Sequence, residues 1–111
     1  MSLALKRIYE KSDTNDGIRI LVDRLWPRGL TKEKANVDIW LKDIAPSTEL
    51  RKWFHHDPEK WKAFKQKYVS ELNNNQEGVR YLKEQIKKGK VTLLYASKDE
   101  EHNEAVVLKD F

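Results

Sequence analysis

No cysteine occurs anywhere in the 111 residues. Disulfides, thiolate nucleophiles, cysteine zinc sites and iron–sulfur clusters are therefore excluded, and stability has to come from packing. A chain without thiols also suits a reducing compartment. Long apolar runs are missing as well: none approaches the roughly 20 residues that a membrane-spanning helix needs. The opening stretch Met1-Ser2-Leu3-Ala4-Leu5-Lys6-Arg7 turns charged too soon for a signal peptide, so the expected address is the cytoplasm and no membrane partner is expected. There is no glycine-rich phosphate fingerprint, no nucleophile elbow and no Ser-His-Asp signature. No repeat or long linker divides the chain, and only Asn73-Asn74-Asn75 is of low complexity. One domain over residues 1–111 is the expectation.

What is present is charge and aromatic bulk. Lys and Arg number 22 against 18 Asp and Glu, a net +4, and the two signs are interspersed. That balance favours anionic ligands weakly; a nucleic-acid binder concentrates its charge more. Four Trp, four Tyr and three Phe, with 39% hydrophobic residues, are enough to pack one core.

Periodicity gives the elements. Residues 3–9 alternate loosely and read as a strand, and residues 11–17 form a polar turn cluster ending in Asp-Gly. Residues 18–22 are almost continuously apolar and β-branched, as in a parallel-sheet strand buried on both faces. Thr31 caps a short helical turn. Residues 37–41 alternate with period two and read as a short strand, placed at an edge. Ser47 caps a helix carrying Leu50, Trp53 and Phe54, with Glu49 in its first turn. Asp57-Pro58 starts another, whose stripe is Trp61, Phe64, Tyr68 and Leu72. A further helix uses Val79, Leu82 and Ile86 and ends at Gly89. Residues 91–96 give the strongest strand signal, and Asn103 caps a last helix. The order predicts an α/β fold: a single compact domain with a small, mainly parallel sheet flanked by helices.

Two loops leave the ends of buried strands, where ligands bind in open α/β sheets. The first is Asp23-Arg24-Leu25-Trp26-Pro27-Arg28-Gly29. Arg24 and Arg28 offer planar forks for carboxylate or phosphate, and Trp26 a stacking face. The competing reading is structural: Asp23 pairs with Arg24 or Arg28, while Trp26 and Pro27 plug the core. The second loop follows Tyr95 and runs through Ser97 and Asp99 to Asn103. Its helix start offers backbone donors, Ser97 a hydroxyl, and Asp99 a proton acceptor; the plain alternative is a solvated, capped loop.

His55-His56, with His102 far along the chain, do not have metal-ligand spacing, so no metal is expected. A general-base role for one histidine is left open. Tryptophans interleaved with Arg51, Lys52, Lys60 and Lys62 fit single-stranded nucleic acid, although Trp61, Phe64 and Tyr68 sit at core spacing.

Four stretches then carry a resemblance: residues 19–29, Ala45-Pro46-Ser47 with Leu50-Arg51-Lys52-Trp53-Phe54, His56-Asp57-Pro58 with Trp61 and Phe64, and residues 91–96 with Asp99 and Asn103. Together they resemble the Domain of Unknown Function 488 family in its short, YeaO-like branch, over essentially the whole chain. The resemblance implies no established activity. It implies longer relatives with a Cys and a His-Arg pair in the last loop, where this chain has Ser97 and His102-Asn103-Glu104; a thiol-based role cannot carry over. A helix-turn-helix reader is not indicated, because the motifs sit at strand ends.

The expected function is binding of a small anionic ligand at the strand C-terminal ends, with catalysis an open extension. The ligand-binding set is Arg24, Trp26, Arg28, Tyr95, Ser97 and Asn103; Asp23 and Asp99 are the candidate catalytic acceptors, and no cofactor is called for. The alternative is a nucleic-acid- or protein-binding module using a basic, Trp-containing face.

Overall fold

The structure is a computed structural model that describes residues 3–55 and 57–111. Among them four strands form one wholly parallel sheet: β1 (Leu3–Arg7), β2 (Ile18–Leu21), β3 (Ile39–Trp40) and β4 (Val91–Tyr95), in the spatial order β1-β4-β2-β3. Strand β4 lies inside the sheet, and all five of its residues are buried. Period-two alternation sends side chains to two layers. Ile20, Val91, Leu93 and Tyr95 enter the larger core, and Leu21 and Leu94 the smaller one on the other face. The near-continuous apolar run in β2 is therefore explained by burial on both sides, as expected.

The larger core is roofed by α2 (Thr48–Phe54), α3 (Trp61–Asn73), α4 (Gln76–Lys88) and α5 (Glu104–Asp110). The stripe read from spacing is core: Phe64, Tyr68 and Leu72 are buried, and Phe54 stacks on Phe64 with centroids 4.3 Å apart. Tyr68 reaches through the core to donate to the Ile44 carbonyl at 2.6 Å. The smaller core packs Ile8, Leu21, Ala35 and Leu94 beneath Trp26, Leu30 and Val37, with α1 (Lys32–Ala35) alongside.

The caps fall where the sequence puts them. Thr31, Ser47 and Asn103 each accept a backbone N–H from the first turn of the helix that follows. Several boundaries differ from expectation: the strand expected at 3–9 ends at Arg7, and the one expected at 18–22 ends at Leu21. The strand expected at 37–41 is a strand only at Ile39–Trp40; the flanking Asp38 and Leu41 N–H groups still donate to the Arg19 and Leu21 carbonyls at 2.9 Å, and the chain then turns at Lys42–Ile44. Asp57-Pro58 opens the 3-10 turn Pro58–Lys60, which leads straight into α3.

The N-terminal end of β2 holds a buried ion cluster that periodicity does not reveal. Arg19 is 2% exposed, although it stands in a strand. It donates to Asp16, to the Asn36 carbonyl at 2.9 Å and to the Ala35 carbonyl at 2.8 Å. Asp16 also receives Lys6 Nζ at 3.2 Å and the Asp13 N–H at 3.0 Å. Burial alone would raise the Asp16 pKa, but the Asp13 N–H, Lys6 and Arg19 together hold it below its ordinary value. Gly17 makes the approach possible: its φ is +68°, and an added Cβ would lie 2.3 Å from the Lys90 carbonyl oxygen. Among the described residues no helix is long and apolar enough to cross a membrane.

Candidate functional site

Because β2 and β4 are parallel neighbours, their following loops leave on the same edge of the sheet. Asp23 fastens one loop to the other by accepting the Ala96 N–H at 2.8 Å. Between them opens a cleft of about 750 Å³. Asp23, Arg24, Trp26, Arg28, Ser97 and Asp99 all line it, so the two loops do face each other. The rest of the wall comes from Tyr9, Arg51, Phe54, Phe64, Lys98 and Glu104, among others.

Each loop is braced from outside. Trp26 donates Nε1 to the Leu30 carbonyl at 2.8 Å and meets Trp40 edge-on at 5.4 Å. Trp40 in turn donates to the Asp23 carbonyl at 2.8 Å. Pro27 is buried, and Gly29 turns the chain at φ +82°. The second loop hangs on Arg7 of β1, whose Nε donates to the Ser97 carbonyl at 2.9 Å and whose Nη2 donates to the Ala96 carbonyl at 3.3 Å. Arg7 was not singled out from sequence; a strand arginine beside a loop seventy positions or more away leaves no local signal.

The two arginines of the first loop have different fates. Arg24 is held by the Pro46 and Ala45 carbonyls, each at 3.2 Å, so its fork is set at the cleft wall. Arg28 is exposed, and its backbone carbonyl accepts the Tyr9 hydroxyl at 2.9 Å. Neither arginine forms an ion pair with Asp23 among the described residues. Trp26 and Pro27 do pack as the structural reading has them, and Trp26 lines the cleft as well.

The second loop is largely occupied with holding itself. Ser97 Oγ accepts the Asp99 N–H at 3.1 Å. Asp99 accepts the N–H groups of Glu101 and His102, and one carboxylate oxygen lies 2.8 Å from His102 Nδ1. Burial would raise Asp99, but those bonds outweigh it and hold its pKa below the ordinary value. Asn103 is 2% exposed, with its amide donating to the Asp99 carbonyl and its oxygen capping α5 at Val106. Neither Asn103 nor the buried Tyr95 lines the cleft.

The floor holds a carboxyl that sequence reading did not assign. Glu104 opens α5 and looks there like an ordinary first-turn acid favoured by the helix dipole. The residue keeps some surface, but its Oε1 is sealed from solvent and receives no conventional donor. Burial pushes the Glu104 pKa well above its ordinary 4.5, and a hydrogen bond with the Asp23 carboxyl pushes it the same way; Arg51 opposes both. Both effects favour the protonated form of the Glu104 carboxyl.

Among the described residues no group of three or more His, Asp or Glu could hold a metal ion. His55 is exposed at the end of α2, His102 meets Trp61 edge-on at 5.1 Å, and His56 lies outside the described residues.

The fold and the cleft define a parallel α/β domain with an arginine-walled, acid-floored pocket at its strand ends. The chain belongs to the Domain of Unknown Function 488 family: residues 2–111 match the model described as the inactive DUF488-N3 subclade. It is 43% identical to the uncharacterised protein YeaO of Escherichia coli K12 over 111 residues, all of this chain and 96% of YeaO. The uncharacterised proteins Rv3073c of Mycobacterium tuberculosis and Mb3100c of Mycobacterium bovis are each 51% identical over 69 residues, 62% of this chain and 58% of theirs. No solved structure matches.

Proposed function

We propose that the cleft binds a small anionic ligand and holds it without turning it over. One observation carries this reading: Arg24, Arg28, Arg51 and Lys98 converge on a single cleft, and Arg24 is already oriented by two carbonyls. A pre-set guanidinium loses little freedom on meeting a carboxylate or phosphate. The family's description as inactive supports binding without chemistry. So does Asp99, which is tied to His102 and backbone N–H groups rather than free to take a proton. The cytoplasmic address belongs to the same reading, since that compartment is rich in organic anions.

Calorimetry and thermal unfolding at constant ionic strength with phosphate, sulfate and citrate test it. Saturable binding is expected, with stabilisation of about 2.7 kcal/mol at a ligand concentration one hundred times Kd. The double variant Arg28→Ala, Lys98→Ala should bind roughly tenfold more weakly. No saturable response to any of the three anions overturns the reading.

A second reading is single-stranded nucleic acid on the outer face of α2 and α3. Trp53 is 40% exposed there, with Lys60 and Lys67 each 5.2 Å from its ring centroid. A mobility-shift series decides it: no binding at low salt removes it.

A further inference from the structure

Resting on the anion-binding reading, we propose that the ligand of the cleft carries an aromatic ring: it is a small aryl carboxylate or aryl phosphate, its charged head on the basic side chains and its ring against Tyr9 and Leu25. Size is the first argument. The cleft holds about 750 Å³. That lies within the roughly 300–1,000 Å³ of sites for drug-sized molecules, and a lone phosphate or sulfate would leave most of it to water. The lining is the second. Tyr9, Leu25, Trp26 and Pro27 share the cleft with Arg24, Arg28, Arg51 and Lys98, and the nearly buried Phe54 and Phe64 line it too. Leu25, at 58%, is the most exposed large hydrophobic side chain among the described residues, and Tyr9 is 42% exposed. Exposed apolar residues standing singly need no explanation. These two line one cleft together with four cations, which is the make-up of a site for an amphipathic small molecule.

The state of Tyr9 makes the apolar part a ring. Its hydroxyl donates to the Arg28 carbonyl at 2.9 Å, and the Arg7 guanidinium lies 5.1 Å from its ring centroid. Arg7 also donates to the Ser97 carbonyl, so one strand residue fixes both the Tyr9 ring and the second loop. A ring held at its hydroxyl and on one face stacks on the other with little further loss of freedom. Arg28, whose carbonyl anchors that hydroxyl, has an exposed side chain and adds a guanidinium plane for the same ring. An aliphatic anion gains burial against Leu25 but no stacking on Tyr9, and a plain anion gains neither.

The experiment compares matched probes by calorimetry on the intact protein. Methyl, cyclohexyl and phenyl phosphate share one head group; acetate, cyclohexanecarboxylate and benzoate share the other. In whichever series binds, the phenyl member should be about tenfold tighter or more than the methyl member. It should also be about threefold tighter or more than the cyclohexyl member, which matches its bulk but cannot stack. Leu25→Ser should weaken binding of the phenyl probe about threefold, and Tyr9→Leu should erase the preference for phenyl over cyclohexyl. Equal binding across a series, a cyclohexyl probe as tight as its phenyl partner, or a phenyl preference that survives Tyr9→Leu overturns the inference while leaving the anion-binding reading intact. No binding of any probe, with phosphate, sulfate and citrate also inert, overturns both. The probe comparison uses the unmodified chain, so it stands even where a variant fails to fold.

Discussion

The two ends of β2 solve one problem in opposite ways. Each sets an acid against the sheet. At the N-terminal end Asp16 is surrounded by donors: Arg19, Lys6 and the Asp13 N–H. At the C-terminal end Asp23 meets a second acid, Glu104. The first cluster is satisfied by donors from within the chain. The second lines a cleft, and the sealed Oε1 of its Glu104 receives no conventional donor. A buried polar group that the fold itself does not satisfy is where a ligand has something to add. The difference separates architecture from candidate function without any appeal to charge count.

Removing the cation at the saturated end should have the largest effect. Arg19→Met leaves Asp16 short of a partner and strands the Ala35 and Asn36 carbonyls; a loss of about 3–5 kcal/mol is expected in urea denaturation. A loss under about 1 kcal/mol would break the comparison. The acid pair should respond in the reverse sense. Glu104→Gln is expected to stabilise the free protein by about 0.5–2 kcal/mol, as charges kept at binding sites commonly cost stability.

The pH profile fixes the sign of that effect. The unfolded chain ionises Glu104 near 4.5, while burial in the folded protein raises its pKa well above that. Its contribution is therefore complete below 4.5 and is lost as the pH rises through the raised folded-state value. Asp16, whose pKa is lowered, contributes above its ordinary 3.8 and loses that contribution as the pH falls through the lowered value. The Gln variant should thus gain on the wild type toward alkaline pH only; a gain at acid pH instead would refute the pairing. The smallest effect belongs to Arg28→Ala. No described residue holds its guanidinium, so stability should change by less than about 0.5 kcal/mol while anion binding weakens. A large destabilisation would move Arg28 to the architectural side.

The local signals of this chain are strong enough to read. Thr31, Ser47, Asp57 and Asn103 each announce a helical start through a side chain bonding its own neighbours, and the stripe from Phe64 to Leu72 needs only periodicity. The meeting of the Arg24 and Ser97 loops follows from two buried strands in one parallel sheet. What stays hidden depends on distance along the chain. Arg19 looks like a solvent-facing strand residue until the Asp16 turn and the end of α1 close around it. Glu104 looks like a dipole acid until Asp23, eighty-odd positions earlier, is folded onto it. Asn103, read both as a cap and as a ligand donor, is a cap; its amide, which a ligand would need, is spent on the Asp99 carbonyl.

The strand order has a kinetic consequence. Strand β4 sits between β1 and β2, yet it follows both by seventy residues or more. The sheet cannot close around it until residues 91–95 have emerged from the ribosome, and pairings of such long range are slow to form. Until then the Arg24 loop has no partner loop across the sheet edge. The pocket is therefore a product of the last docking step rather than of either loop, and its appearance should track burial of β4 in a refolding experiment.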